Sequence, residues 1–225
     1  MTARLLAEAL GTFLLFATVM GAGIMADNLA GGNVAVALIG TTLPIGAILY
    51  VIIVMLGPVS GAHFNPVVTL MIRLRGEIET GAALAYIAVQ VISGVLAAFV
   101  VHLMFDLPVV QIADNPRTGI GQWVSEGIAT FGLILTIFAT LRTRPEAVPM
   151  SVALYIFAAC WFTSSTCFAN PAITIARSFT DTFTGIAPAD IPAFVMAQII
   201  GALAAMAAVR VLFPDAPDAK GAAAS

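Results

Sequence analysis

Apolar residues gather along this chain in six long blocks, at about 5–26, 34–57, 80–105, 120–141, 148–166 and 190–213. A helix needs about 20 such residues to cross the hydrocarbon of a bilayer, so the pattern predicts six membrane-spanning helices. Two further apolar segments are too short to span. Each begins at an Asn-Pro pair, Asn65-Pro66 or Asn170-Pro171, and runs about seven to nine mostly apolar residues before Arg73 or Arg177. Proline suits the first helical position, where its missing N–H costs nothing, and the preceding Asn caps the helix start. Both segments are therefore read as half-helices. Irregular backbone at membrane depth is tolerated only where protein buries it or it lines a watery cavity, so two such inserts imply a pore or a binding site.

The halves of the chain repeat each other in order. Glu8-Ala9-Leu10-Gly11-Thr12-Phe13 parallels Glu126-Gly127-Ile128-Ala129-Thr130-Phe131, and His63-Phe64-Asn65-Pro66-Val67-Val68-Thr69 parallels Phe168-Ala169-Asn170-Pro171-Ala172-Ile173-Thr174. Gln90, ahead of Gly94-Val95-Leu96-Ala97-Ala98, parallels Gln198, ahead of Gly201-Ala202-Leu203-Ala204-Ala205. The pattern predicts an all-α membrane protein with two three-helix repeats, about 4–106 and 120–213, in a single domain over 1–225 that ends in a short disordered tail at about 214–225. Three is odd, so the second repeat enters the membrane from the opposite face. The two Asn-Pro segments are then expected to be re-entrant and to meet near the midplane.

Composition strengthens the membrane reading: 60% of residues are hydrophobic and 9% charged, with a mean hydropathy of +1.04. A net charge of −3 argues against a nucleic-acid partner. Charge bears instead on topology. With six spans, Arg4, Arg73, Arg75, Arg142, Arg144, Arg210 and Lys220 share the side of both termini, against Arg117 and Arg177 opposite. Cytoplasmic loops are enriched in such residues, which places both termini in the cytoplasm. The first apolar block lacks a small-residue cleavage site and is read as a retained helix, not a signal peptide. Short termini fit a bacterial inner membrane. Cys160 and Cys167, seven apart in one apolar stretch, suit helix-buried thiols better than a disulfide or a metal site.

Ser60-Gly61-Ala62-His63-Phe64-Asn65-Pro66-Val67-Val68-Thr69 is similar to the first signature of the aquaporin, or major intrinsic protein, family, and Asn170-Pro171-Ala172 to its second. The resemblance runs from Glu8 to Phe213 and is closest to a bacterial aquaglyceroporin-like subgroup that lacks the filter arginine. Val67 replaces the usual Ala, a change that bears mainly on packing. The resemblance implies a passive channel, not an enzyme, with one pore per protomer of a homotetramer and no cofactor or metal. Water-selective relatives pinch the pore with an aromatic, a His and an Arg. Counting from the two Asn residues, the corresponding filter positions are Ile45, Ala158 and Ile173, with Cys167 contributing backbone. An apolar ring of this kind is expected to pass glycerol-like polyols and undissociated metalloid acids such as arsenite and antimonite as well as water.

Other residues admit two readings each. Arg177 pairs with Asp181 at i, i+4, the favoured reading, or projects toward the outer mouth. Glu8 and Glu126 are intramembrane carboxylates, functional candidates by default, although the resemblance favours support of loop backbone. His63 lines the cytoplasmic half of the pore or packs; Cys167 is a mercury-reactive thiol, as in some relatives, or merely buried; Cys160 is read as inert packing. Against the wide-filter channel stand an orthodox water-selective aquaporin, an inverted-repeat secondary transporter, and a membrane enzyme. The transporter lacks titratable groups beside the central Asn residues apart from His63, and the enzyme lacks any convergent triad or metal cluster.

Overall fold

A computed structural model describes residues 1–214. Eight α-helices follow one another: α1 Thr2–Leu29, α2 Val34–Ser60, α3 Pro66–Leu74, α4 Thr80–Met104, α5 Ile120–Thr143, α6 Val148–Phe162, α7 Pro171–Ala176 and α8 Ile191–Leu212. Six of these, some extended by a short 3-10 turn, are long and apolar enough to cross a membrane. No strand occurs among the described residues. The tail expected at 214–225 lies, past Pro214, outside the described residues, as does Lys220.

The packing follows the repeat. In the first half α1 lies against α2 and α4, and in the second α5 lies against α6 and α8. The halves meet where α2 packs on α6 and where each short helix contacts elements of the other half, α3 with α8 and α7 with α4. Large apolar side chains such as Leu43, Leu84, Leu154 and Val211 stay exposed on the outside, as suits a surface facing lipid. In lipid, helices gain little by burying apolar surface, and close approach through small residues carries more of the association. Gly201 of α8 sits so near α5 that an added Cβ would run into the carbonyl oxygen of Gly127. Gly11, Gly94 and Gly132 are filled in the same way by the side chains of Phe64, Phe16 and Tyr155.

One span differs from its expected course. The apolar block at 148–166 predicts helix throughout, yet α6 ends at Phe162 and residues 163–169 run as non-helical chain to Asn170. The link opens with the small polar run Thr163-Ser164-Ser165-Thr166, and an apolar window drawn through those residues does not mark where the helix stops. Its counterpart, 61–64 after α2, is shorter.

Because the obstacle at Gly201 is backbone, which cannot swing aside, Gly201→Ala is expected to lower stability by about 1–3 kcal/mol. Gly81 in α4 has open space around it, so Gly81→Ala is expected to be neutral or to stabilise by about 0.5–1 kcal/mol. Thermal unfolding of both variants in the same detergent checks the contrast.

Candidate functional site

The two short helices start at residues that cap them. Asn65 and Asn170 both have extended backbone; the Asn65 side-chain oxygen accepts from the N–H of Val67 at 3.0 Å, and that of Asn170 from Ala172 at 2.9 Å. Their amide nitrogens cross between the halves. Asn65 Nδ2 donates to the Ala169 carbonyl at 2.8 Å, and Asn170 Nδ2 to the Phe64 carbonyl at 2.9 Å. A side-chain amide has two N–H groups, so each Asn keeps one beyond this crossed pair. Both Asn residues also line the cavity that runs between the halves.

A carboxylate holds the chain ahead of each cap. Glu8 of α1 accepts from the N–H groups of His63 at 2.9 Å and Phe64 at 2.8 Å, from the Ser60 hydroxyl at 2.7 Å and from Gln90 Nε2 at 2.8 Å. Glu126 of α5 accepts from the N–H groups of Phe168 at 2.8 Å and Ala169 at 2.9 Å, and from Gln198 Nε2 at 2.7 Å. Each glutamine also donates to a threonine, Gln90 to Thr69 and Gln198 to Thr174, whose hydroxyl donates in turn to the carbonyl of the capping Asn. Phe64 and Ala169 have φ of 48° and 46°, and Ala62 and Cys167 have 51° and 53°. Left-handed residues placed beside ordinary ones let successive N–H groups converge on an anion, at a cost of about 1–2 kcal/mol for each non-glycine. The two carboxylates offset that cost. Of the two readings for Glu8 and Glu126, the geometry is that of backbone support.

The cavity encloses about 160 Å³ and is walled mainly by aliphatic side chains. Ile45 of α2, Ile173 of α7 and Cys167 all line it, as the filter assignment expects. Ala158 does not. It is exposed on the outer face of α6, while Val148, Val152, Ile156 and Cys160 form the stripe that faces the cavity. The assignment counted back from Asn170 as though the chain kept one register, but the helix stops at Phe162 and the count fails across the irregular link. Cys160, read from sequence as inert packing, therefore stands on the wall. Its place on an i, i+4 stripe with Ile156 and Val152 was the available signal.

His63 also lines the cavity, with its ring edge-on to Tyr86 at 5.1 Å and Nδ1 3.0 Å from the Thr69 hydroxyl. It is both lining and packed. Arg177 departs from the favoured expectation, since it forms no ion pair with Asp181. The Asp181 carboxylate accepts from the Asp114 N–H instead. Arg177 is buried at the cavity wall, its guanidinium 3.4 Å from the centre of the Phe168 ring and its Nε donating to the Thr184 carbonyl. Arg117 approaches the same ring at 5.0 Å and donates to the Gly185 carbonyl at 2.7 Å. Helix α7 ends at Ala176 and a 3-10 turn over Arg177–Phe179 follows, so the α-helical spacing assumed for an Arg177–Asp181 pair does not apply.

Six spans, two half-helices capped head to head at their asparagines, and a lined cavity between them define a helical membrane channel. The chain belongs to the major intrinsic protein family, whose description, Major intrinsic protein, matches residues 1–169. It is 51% identical over 216 residues to the aquaglyceroporin AqpS of Rhizobium meliloti, covering 96% of this chain and 92% of that one. It is also 30% identical over 173 residues to aquaporin Z of Photorhabdus laumondii, covering 68% and 73%. The X-ray structure of the aquaglyceroporin from Plasmodium falciparum shares the fold, with a TM-score of 0.73 over 95% of this chain and 97% of that one at 18% identity. Membership makes the chain a passive channel for small solutes, and neither an enzyme nor a coupled transporter.

Glu126→Leu strands two backbone N–H groups and one amide in a dry interior, at about 1–3 kcal/mol for each unpaired group. It is expected to abolish recovery of monodisperse protein in detergent, with Glu126→Gln intermediate because one acceptor remains. Glu8→Leu should behave alike, and unfolding midpoints unchanged in both would show that the carboxylates do not brace the loops.

Proposed function

We propose that this channel admits neutral solutes bulkier than water, namely glycerol-like polyols and undissociated metalloid acids such as arsenite and antimonite. The observation that carries the reading is the make-up of the wall one turn beyond the paired asparagines, where Ile45 and Ile173 face the cavity with Cys160 and Cys167 beside them. A narrow water filter replaces lost hydration with fixed donors. Here the guanidinium of Arg177, on the cavity wall, is stacked on Phe168 and bonded to the Thr184 carbonyl. An aliphatic wall excludes by size alone, and the polyhydroxyl solutes turn their carbon or metalloid core to it while their hydroxyls meet the amides of Asn65 and Asn170. The name aquaglyceroporin, borne by the relative that is 51% identical, agrees with this assignment.

Proton passage is hindered at the same asparagines. Each half-helix start carries about half a positive charge, and a permeant that accepts from both amides is poorly placed to relay protons. The cationic side holding Arg4, Arg73, Arg75, Arg142, Arg144 and Arg210 is assigned to the cytoplasm of a bacterial cell, in the inner membrane. Assembly as a homotetramer would cover part of the apolar exterior.

Ile173→Arg is expected to cut glycerol permeability about tenfold or more, a barrier rise of about 1.4 kcal/mol, with a smaller loss for water. Cys160→His should act in the same direction. Ala158→His, on the outer surface, should leave glycerol flux unchanged. Stopped-flow light scattering of proteoliposomes for water and glycerol, with arsenite uptake beside it, tests the set; glycerol and arsenite rejected by the unsubstituted protein while water passes would overturn the reading.

A further inference from the structure

We propose that the Arg177 guanidinium is a binding site for small monovalent oxyanions, carboxylates and sulfonates, which occupy the path and block it to neutral solutes. The cation is buried, with 6% of its surface exposed, and lines the cavity. Its flat face is stacked on Phe168 and its Nε donates to the Thr184 carbonyl. The edge opposite is unused. Among the described residues neither Nη1 nor Nη2 has a hydrogen-bond acceptor, and neither is sealed from water. A guanidinium carries five N–H donors, so four stay free on a side chain that borders the path.

No carboxylate among the described residues pairs with this charge. Both oxygens of Glu126 are taken by the N–H groups of Phe168 and Ala169 and by Gln198. Asp181 accepts from the Asp114 N–H and borders, with Asp27, a separate outer hollow beside Arg117, while Asp190 accepts from the Arg117 N–H at 2.7 Å. Arg117 adds a second positive charge beside the same Phe168 ring, and its guanidinium donates only to the carbonyls of Gly185 and Ser165. Charge taken out of water without a counter-ion is costly, so an anion at the open edge of Arg177 is favoured. Two parallel N–H groups there match two oxygens of a carboxylate or a sulfonate. The Arg177 N–H bonds the Ile173 carbonyl, which sets the site one turn from the aliphatic wall. That wall has no donors to replace an anion's water, so the anion fills the end of the path without crossing. Only the flux arm of the test rests on the proposed reading, because it needs glycerol to pass.

Methanesulfonate, which stays anionic and does not cross lipid, is the probe. At constant ionic strength it is expected to raise the unfolding temperature of the purified protein saturably, where chloride and the neutral methanesulfonamide do not. Its half-saturating concentration should rise at least about tenfold in Arg177→Gln, as when one partner of a buried charge pair is removed, with Arg177→Lys between. The three-way comparison on the unsubstituted protein decides the matter even if a variant fails to fold. Glycerol flux in proteoliposomes should fall with methanesulfonate over the same concentrations. No shift, an equal shift with chloride or methanesulfonamide, or an undiminished shift in Arg177→Gln would overturn the site, and glycerol flux unaltered at saturation would overturn its place on the path. Glycerol flux absent without the anion, beside a normal shift, would overturn the solute assignment and leave the site standing.

Discussion

Backbone polar groups at the centre of a bilayer must find partners within the protein, because hydrocarbon offers none. Two loops in this chain reach that depth, and everything distinctive about the molecule follows from how their groups are paired. Glu8 and Glu126 each take two consecutive N–H groups and a glutamine amide. That leaves the carbonyls of Phe64 and Ala169 to accept from Asn170 and Asn65 across the interface of the repeats. Each half thus completes the hydrogen bonding of the other. Neither half could place its asparagine alone, since the acceptor that orients each amide belongs to the opposite repeat.

The duplication is strict in this scaffold and relaxed on the wall. Glu, Gln, Asn, Pro and Thr recur in both halves because each performs one step of the same hydrogen-bond chain. On the wall, by contrast, His63 stands where the second half has Phe168. His63 bonds Thr69 and packs on Tyr86 toward one end, while Phe168 carries the guanidinium of Arg177 on its face toward the other. Symmetry is kept where it satisfies buried polar groups. It is lost where side chains meet the solute, which gives the two ends of the path different chemistry.

What was legible in the sequence divides along the same line. The six spans, both half-helices and the repeat pairs were readable because each is tied to a local signal: hydropathy for the spans, Asn-Pro for the caps, recurrence for the brace. Counting placed Ile173 on the wall because it lies on the half-helix that Asn170 caps, and Ile45 because the non-helical link between α2 and Asn65 is short, at 61–64. The same count failed for Ala158, because the chain from Phe162 to Asn170 leaves helical geometry and turns through left-handed residues at Thr166, Cys167 and Ala169. It failed for Arg177 and Asp181 because the helix between them had already ended. The place of both Cys160 and Cys167 on the cavity wall was hidden by the same irregular link. Their separation of seven positions reads as two helical turns, whereas the fold puts Cys160 on α6 and Cys167 in the left-handed link beyond it.

This division explains why such a channel can change its solute without losing its fold. Ile173 occupies the first turn of a half-helix whose start is fixed by Asn170, and none of the bonds that Glu126, Gln198 and Thr174 make involves its side chain. Replacing a donor there by an aliphatic group therefore disturbs no buried pairing, and the space it opens belongs to the path and not to the core. A change at Asn65, Glu8 or Gln90, by contrast, leaves several groups without partners at once. Selectivity is free to drift at positions that border the cavity, while the hydrogen-bonded scaffold behind them is held by the cost of a single unpaired group in a dry interior.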